Sequence, residues 1–152
     1  MIQPESANYG ALIERAHKLL KQHFQRRLHE VEAGITVDQW MVLDVLFREG
    51  EMSHQDIAQL TAKDAPTLTR IVDLLVQKGL VARLVDEDDR RRLRIDLTTA
   101  GETLVKRLLP VVIAWREQGW EGLQDEDYQT LLRILGTMSR NFDVHEVLTP
   151  RS

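Results

Sequence analysis

Residues 53–97 read SHQDIAQLTAKDAPTLTRIVDLLVQKGLVARLVDEDDRRRLRIDL. Ser53 is a favourable N-cap, so the apolar spacing that follows it predicts a short helix. A second helix is predicted to start at Asp64, whose carboxylate can cap it, and Pro66 is well tolerated in its first turn. This helix is expected to end at Gly79. Two short helices joined by a few residues are typical of a helix-turn-helix.

An extended segment follows the second helix. Residues 80–85 and 93–97 both alternate between apolar and polar side chains, which predicts two β-strands. The segment between them, residues 86–92, contains four acidic residues followed by three arginines. The pattern therefore predicts a two-stranded hairpin with a highly charged tip.

Amphipathic helices are predicted on both sides of this unit, because apolar residues recur there every three or four positions. The first helix is predicted from Ser6 to Glu32 and is terminated by Gly34, and the second starts at a capping box of Thr36 and Gln39 and is terminated by Gly50. After the hairpin, a helix is predicted from Thr98 or Thr99 with a bend at Pro110, and a last helix from Asp125 to Phe142. We expect one continuous unit with three parts: an N-terminal dimerisation helix (residues 1–35), a winged helix-turn-helix lobe (36–98) and C-terminal dimerisation helices (99–152). The fold class is mainly α with a small two-stranded β-hairpin wing.

The composition fits a globular chain that stays inside the cell. The 152 residues are 43% hydrophobic and 29% charged, which is enough apolar material for a core. There is no cysteine, so disulfides, thiolate metal sites and thiol redox switches are excluded. The N-terminus lacks the pattern of a secretory signal, and we expect a cytoplasmic protein without a membrane span.

The net charge of −4 does not favour nucleic acid as a partner, but the distribution of charge does. Arginines are concentrated in the predicted hairpin tip, at positions 90, 91, 92 and 94. A positive tip on an acidic body is compatible with phosphate binding if the acidic surfaces face away.

The second helix of the helix-turn-helix has one apolar side and one polar side. Its polar side and first turn supply our candidate DNA contacts: Pro66, Thr67, Thr69 and Arg70. A helix fits the major groove, where arginine bonds guanine and threonine contacts a base edge or a thymine methyl. The alternative is that these residues are simply the solvated face of an amphipathic helix. Asp73 is assigned a structural role, orienting Arg70 or another nearby arginine.

The hairpin tip supplies the second set of candidates, Arg90, Arg91 and Arg92. An arginine on a projecting tip can enter the minor groove beside the site read by the helix, while its neighbours contact phosphates. A carboxylate such as Asp89 is expected to hold one arginine extended. The alternative is a loop whose charges neutralise each other.

Residues 36–101 resemble the winged helix-turn-helix of the MarR/SlyA family of bacterial transcriptional regulators. The resemblance depends on five motifs: TVDQW at 36–40, DAPTLTR at 64–70, KGLV at 78–81, DRR at 89–91 and LTTAG at 97–101. It places Asp89 and Arg91 on the family's wing Asp-x-Arg pair. The acidic run 86–89 is heavier than the family pattern needs, which is expected to weaken non-specific phosphate attraction.

The resemblance implies a homodimer that binds a palindromic operator on double-stranded DNA and regulates transcription, typically as a repressor. It also implies release from DNA by a small, often aromatic and anionic effector, whose binding residues the sequence does not identify. The residues independently favour a dimer, since the long terminal helices carry more apolar side chains than one small lobe can cover. The absence of cysteine argues against the peroxide-sensing branch of the family. Trp40 either lines an effector cleft or, as we expect, packs in the core.

Other classes of function find little support in the sequence. His17, His23 and His29 fall on different faces of a helix, and His54 and His145 have no partner at ligand spacing, so no metal or other cofactor is predicted. No glycine-rich phosphate loop, His-Glu metal helix or nucleophile turn is present, and we expect no enzymatic activity. The remaining alternative is a winged-helix adaptor that binds proteins and not DNA.

Overall fold

The computed structural model describes residues 8–142, and in this range the chain forms six helices and three strands. Their bounds are α1 Tyr9–Glu30, α2 Val37–Glu49, β1 Met52–Ser53, α3 His54–Thr61, α4 Ala65–Gln77, β2 Val81–Val85, β3 Leu93–Leu97, α5 Thr99–Trp120 and α6 Asp125–Asn141. The predicted fold class is confirmed, as is the predicted order of helices and hairpin.

The predicted helix starts follow from local capping. The side chain of Thr36 accepts from the backbone N–H of Gln39, whose own side chain accepts from the N–H of Thr36, so the capping box of α2 is present. Ser53 caps α3, and Asp64 caps α4. These caps satisfy backbone donors that the first helical turn leaves without partners.

The end of α1 differs from the prediction. The helix ends at Glu30, and the residue in the left-handed conformation is Glu32, with φ 51°, before Gly34 with φ 69°. The backbone N–H of Ala33 reaches back to the carbonyl of Leu28 at 2.9 Å, which closes the last turn. Gly34 therefore lies in the linker to α2 and does not terminate α1. The predicted start at Ser6 lies outside the described residues.

The prediction of a two-stranded sheet was incomplete. The antiparallel sheet has three strands in the order β1-β3-β2, because Met52 and Ser53 pair with Ile95 and Arg94 of β3. β1 is only two residues long, too short to give an alternating pattern in the sequence. The β2–β3 pair is the predicted hairpin, with Val81 opposite Leu97 and Val85 opposite Leu93.

One hydrophobic core joins the helix-turn-helix to the terminal helices. The predicted inner side of α4 is confirmed, since Leu68, Ile71, Val72 and Leu75 are all buried. Residues of α1 and α5 are buried in the same cluster. The helix-turn-helix is thus packed directly on both long helices.

Three aromatic side chains pack together where α1, α2 and α5 meet. The ring of Phe24 stacks on Trp115 with centroids 4.5 Å apart and meets Trp40 edge to face at 6.2 Å. Trp40 is buried, so the prediction that it packs in the core is confirmed. Pro110 lies within α5, where it removes one backbone donor.

No helix of the described range is long and apolar enough to span a membrane.

Candidate nucleic-acid interface

The outer side of α4 begins with a tightly capped turn. Pro66, Thr67, Thr69 and Arg70 are all exposed, as predicted for residues that meet a ligand. The carboxylate of Asp64 accepts from the backbone N–H of Thr67 at 2.8 Å and from its hydroxyl at 2.9 Å. These two bonds, the backbone bond first, hold the pKa of Asp64 below its ordinary value and keep the cap ionised.

Arg70 has a free guanidinium group in the described part of the chain. Asp73, one turn further along α4, pairs with Arg83 of β2. The sequence predicts that Asp73 orients either Arg70 or another nearby arginine, and in the structure its partner is Arg83. Since this carboxylate is already engaged, it does not draw Arg70 back onto the helix surface.

His54, the first residue of α3, also contacts this side of α4. Its Nε2 lies 3.1 Å from Oγ1 of Thr69, and the same hydroxyl lies 2.9 Å from the backbone carbonyl oxygen of Ala65. His54 is half-buried and thus flanks the outer face of α4. The sequence indicated only that His54 has no partner at metal-ligand spacing.

The N-terminal end of α4 is connected to α1 and α2 by three charged residues. Asp38, in the first turn of α2, accepts from Lys21 of α1 at 2.8 Å and from Lys63, next to the α4 cap, at 2.6 Å. Burial raises the pKa of Asp38, but the hydrogen bonds and charges of the two lysines outweigh it and hold this pKa below its ordinary value. The carboxylate is therefore ionised and holds both cations.

The C-terminal end of α4 is connected to the linker between α1 and α2. The ammonium group of Lys78 donates to the carbonyl oxygen of Gly34 at 2.6 Å and to the side chain of buried Gln39 at 2.8 Å. Gln25 of α1 bonds the adjacent start of α2, where its side-chain oxygen accepts from the N–H of Val37 at 2.9 Å. Both ends of α4 thus have polar connections to the preceding helices.

The acidic residues of the wing tip build its turn. The side chain of Asp86 accepts from the backbone N–H groups of Asp88 at 2.9 Å and Asp89 at 3.2 Å, which lowers the pKa of Asp86. Asp89 accepts from the backbone N–H of Arg91 at 3.0 Å and forms an ion pair with the Arg92 side chain at 3.5 Å. The arginine side chain that Asp89 holds is therefore that of Arg92, while it holds Arg91 by the backbone.

The wing arginines divide into two groups. Arg94 turns back toward the body, where its Nε lies 2.6 Å from a carboxylate oxygen of Glu51. Arg90 and Arg91 are exposed, and their side chains have no ion-pair partner among residues 8–142. The free positive charge of the tip is thus carried by these two residues.

Sequence reasoning did not predict the contacts made by five residues: Lys21, Asp38, His54, Lys63 and Lys78. The contacts of these residues join positions far apart in the chain, which no local pattern marks. Within the described residues, no group of three or more histidine or acidic side chains is placed to hold a metal ion. His145 lies outside the described residues.

These elements define a winged helix-turn-helix protein, with an exposed helix and an arginine-bearing hairpin. The family model described as the MarR family matches residues 33–92. The transcriptional regulator FarR of Neisseria gonorrhoeae is 31% identical over 131 residues, which is 86% of this chain and 79% of that protein. The chain therefore belongs to the MarR family of transcriptional regulators.

Solved structures agree with this assignment. The Staphylococcus aureus regulator MepR, solved in complex with DNA, is 26% identical, with a TM-score of 0.77 over 88% of this chain and 98% of that one. The Bordetella bronchiseptica regulator BpsR, whose DNA binding is regulated by 6-hydroxynicotinic acid, is 27% identical, with a TM-score of 0.75 over 86% of this chain and 98% of that one.

Proposed function

We propose that this protein is a sequence-specific transcriptional repressor that binds a palindromic operator as a homodimer. In each subunit, α4 enters the major groove and the wing tip lies over the adjacent minor groove. The observation that carries the proposal is the state of the arginines: among residues 8–142, the side chains of Arg70 on α4 and of Arg90 and Arg91 on the wing have no ion-pair partner. Four neighbouring acids are instead used in a cap, in turns and in ion pairs: Asp64, Asp73, Asp86 and Asp89.

The residue roles follow from this placement. Arg70 bonds guanine, Thr67 and Thr69 contact base edges, and Pro66, exposed in the first turn of α4, contacts the DNA beside them. On the wing, Arg90 and Arg91 contact the minor groove and phosphates, while Arg92, held by Asp89, supports them.

The homodimer is supported by the apolar surface of the terminal helices. None of the residues of α6 is buried, although Leu131 and Ile134 lie on it, exposed to 42% and 43%. On α1, Leu12 and Leu19 are exposed to 68% and 57%. An apolar surface of this extent is typical of an interface, so we assign residues 1–35 and 99–152 to dimerisation and residues 36–98 to DNA binding. Two identical lobes on a twofold axis require half-sites about 10 base pairs apart.

An effector site is supported by a groove between α1 and α5. The groove has a volume of about 360 Å³, which suits a small aromatic acid, and its walls include Leu19 and Trp115. Arg26 and His23 line the same groove, and the guanidinium group of Arg26 can neutralise a carboxylate. Because BpsR responds to 6-hydroxynicotinic acid, hydroxylated aromatic acids are the first compounds to test for release of DNA.

We propose that the protein acts on DNA in the bacterial cytoplasm, as a regulator of this family. We propose no enzymatic activity and no cofactor. The alternative is a protein-binding adaptor that has lost DNA. Retardation of labelled promoter DNA in excess competitor, with salt varied, distinguishes the two, since an adaptor gives no retained complex.

The decisive test replaces Arg70 with alanine. Removal of an arginine–guanine bond costs about 1–3 kcal/mol per half-site, so binding to the operator falls by about fivefold to 150-fold for each half-site. Binding to random DNA is expected to change much less, because phosphate contacts dominate there. Arg107→Ala on α5 removes the same charge at an exposed position outside α4 and the wing, and it serves as the control once sedimentation shows that this variant assembles like the unchanged protein. Equal losses on operator and random DNA would rule out base reading by Arg70.

A further inference from the structure

The hydroxyl group of Thr69 has two hydrogen-bond partners that together fix the position of its proton. Its Oγ1 lies 2.9 Å from the carbonyl oxygen of Ala65 and 3.1 Å from Nε2 of His54. A carbonyl oxygen only accepts, so the single hydroxyl proton goes to Ala65. His54 is then the donor in the second bond, and its ring carries a proton on Nε2.

This arrangement determines what Thr69 offers to a base. Its proton is committed inward and one lone pair is occupied by His54, so the exposed part consists of one acceptor lone pair and the γ-methyl group. Guanine presents only the acceptors O6 and N7 in the major groove, and Thr69 has no donor for them. The amino groups of adenine and cytosine can each donate to the free lone pair, and the thymine methyl group can pack on the threonine methyl. Guanine is therefore the base for which Thr69 has no favourable contact.

The hydroxyl proton of Thr67, the other threonine on this face, is also used in a hydrogen bond within the protein. Thr67 donates its hydroxyl proton to the carboxylate of Asp64 at 2.9 Å. Pro66 has neither a backbone N–H nor a polar side chain. Among the four exposed residues predicted to contact DNA, Arg70 alone keeps side-chain protons for a base.

We propose that His54 is a positioning residue that keeps Thr69 from bonding guanine at the base pair next to the G·C pair read by Arg70. The inference rests on the proposed function, because it specifies which bases the DNA-binding face selects. His54 acts through Thr69: it occupies one lone pair of Oγ1 and so keeps the hydroxyl proton on Ala65. Without His54 only the bond to Ala65 remains, and the hydroxyl group can turn about its Cβ–Oγ1 bond and offer its proton to guanine.

The experiment uses the full-length protein and a pool of random-sequence duplexes. Bound duplexes are enriched and sequenced, first with the unchanged protein and then with Arg70→Ala. The base pair at which Arg70→Ala loses discrimination marks the Arg70 position in each half-site. Duplexes with all four base pairs at each neighbouring position are then compared in competition binding.

The expected result is a preference of roughly tenfold for the other three bases over guanine at one neighbouring position on the contacted strand of each half-site. His54→Ala is expected to reduce that preference below about threefold and to leave the binding of random duplexes unchanged. His54→Gln retains an N–H donor at a similar reach and is expected to keep the preference. Gln55→Ala, at the next and exposed residue of α3, is the matched control and is expected to change nothing.

Two substitutions of Thr69 give a second, independent measurement. Thr69→Val keeps the methyl group and the shape but has no hydroxyl proton, so the bias against guanine is expected to remain. Thr69→Ser keeps the hydroxyl and loses the methyl group, so discrimination of thymine from cytosine is expected to fall.

Three outcomes would overturn the inference. The first is a preference for guanine on the contacted strand that Thr69→Val abolishes, because Thr69 would then be a donor. The second is an equal loss of affinity on all duplexes in His54→Ala, which would make His54 a phosphate contact. The third is a bias against guanine that His54→Ala leaves intact. Failure of any sequence to be enriched from the pool is a different result, since it would refute the proposed function itself.

Discussion

Substitution of Gly101 by alanine tests how closely α5 is packed against the segment that joins α4 to the wing. A methyl group built on Gly101 would lie 2.0 Å from the carbonyl oxygen of Leu80 and 3.3 Å from the side chain of Leu97. That carbonyl also accepts the backbone N–H of Thr98 at 3.1 Å. To relieve the overlap, the start of α5 must move away from Leu80 by about 1 Å or more, and the Thr98 bond is stretched or broken.

The free energy of unfolding is expected to fall by about 1–3 kcal/mol. Overpacking of this kind costs about 1–3 kcal/mol, and loss of one backbone hydrogen bond costs about 1 kcal/mol. The better helix propensity of alanine offsets at most about 1 kcal/mol of this. With a urea dependence of about 1–3 kcal/mol per molar, the unfolding midpoint is expected to fall by about 1 M.

Gly119→Ala is the matched control in the same helix. Its nearest neighbour would be a side-chain carbon of Leu20 at 3.9 Å, an ordinary contact, so this variant is expected to gain up to about 1 kcal/mol. Both variants are to be unfolded at one protein concentration, followed by circular dichroism, because dimerisation contributes to stability. If Gly101→Ala were as stable as Gly119→Ala, the close approach of α5 to Leu80 would be refuted.

Three further predictions concern the wing, the charged connection and the dimer. Arg91→Ala is expected to weaken binding most on operators with A·T-rich flanks and to flatten the salt dependence by about one unit for each phosphate that Arg91 neutralises; an unchanged slope would remove Arg91 from the interface. The ion pairs with Lys21 and Lys63 hold the pKa of Asp38 in the folded protein below its ordinary value of 3.8. The stabilisation by these ion pairs is therefore present above pH 3.8 and is lost as the pH falls through the lowered pKa of Asp38. Asp38→Asn is therefore expected to destabilise the protein by about 1 kcal/mol at pH 7 and by less at pH 3, and equal losses in urea unfolding at the two pH values would contradict the ion pairing. Sedimentation is expected to show a dimer at micromolar concentration and a monomer for Ile134→Asp, whereas a monomeric unchanged protein that binds a palindrome tightly would exclude the proposed assembly.

Much of the fold was readable in the sequence because it depends on local chemistry. The caps at Thr36, Ser53 and Asp64 were identified from residue type and spacing alone. The buried side of α4 followed from its apolar period, and both long strands followed from their alternation. Strand β1 and the end of α1 were misjudged, since a two-residue strand exists only through its partner β3 and Glu32 takes a left-handed conformation despite having a side chain.

The sequence indicated which residues belong to the candidate site but not how these residues contact one another. The sequence pointed to Arg70 and the wing arginines, yet it did not indicate which arginines are engaged by the protein. That depends on tertiary contacts such as Arg83 with Asp73 and Arg94 with Glu51. The contact between His54 and Thr69 spans 15 positions and forms only when α3 and α4 cross.

The polar connections at the two ends of α4 affect how a signal reaches the DNA. Because both ends of α4 are bonded to the elements that precede it, we expect α4 to move together with α2 and the C-terminal half of α1. In the proposed homodimer, a rotation of the long helices of one subunit against those of the other is then expected to change the spacing between the two α4 helices. An effector would need only to favour a rotation at which this spacing does not match the helical repeat of DNA.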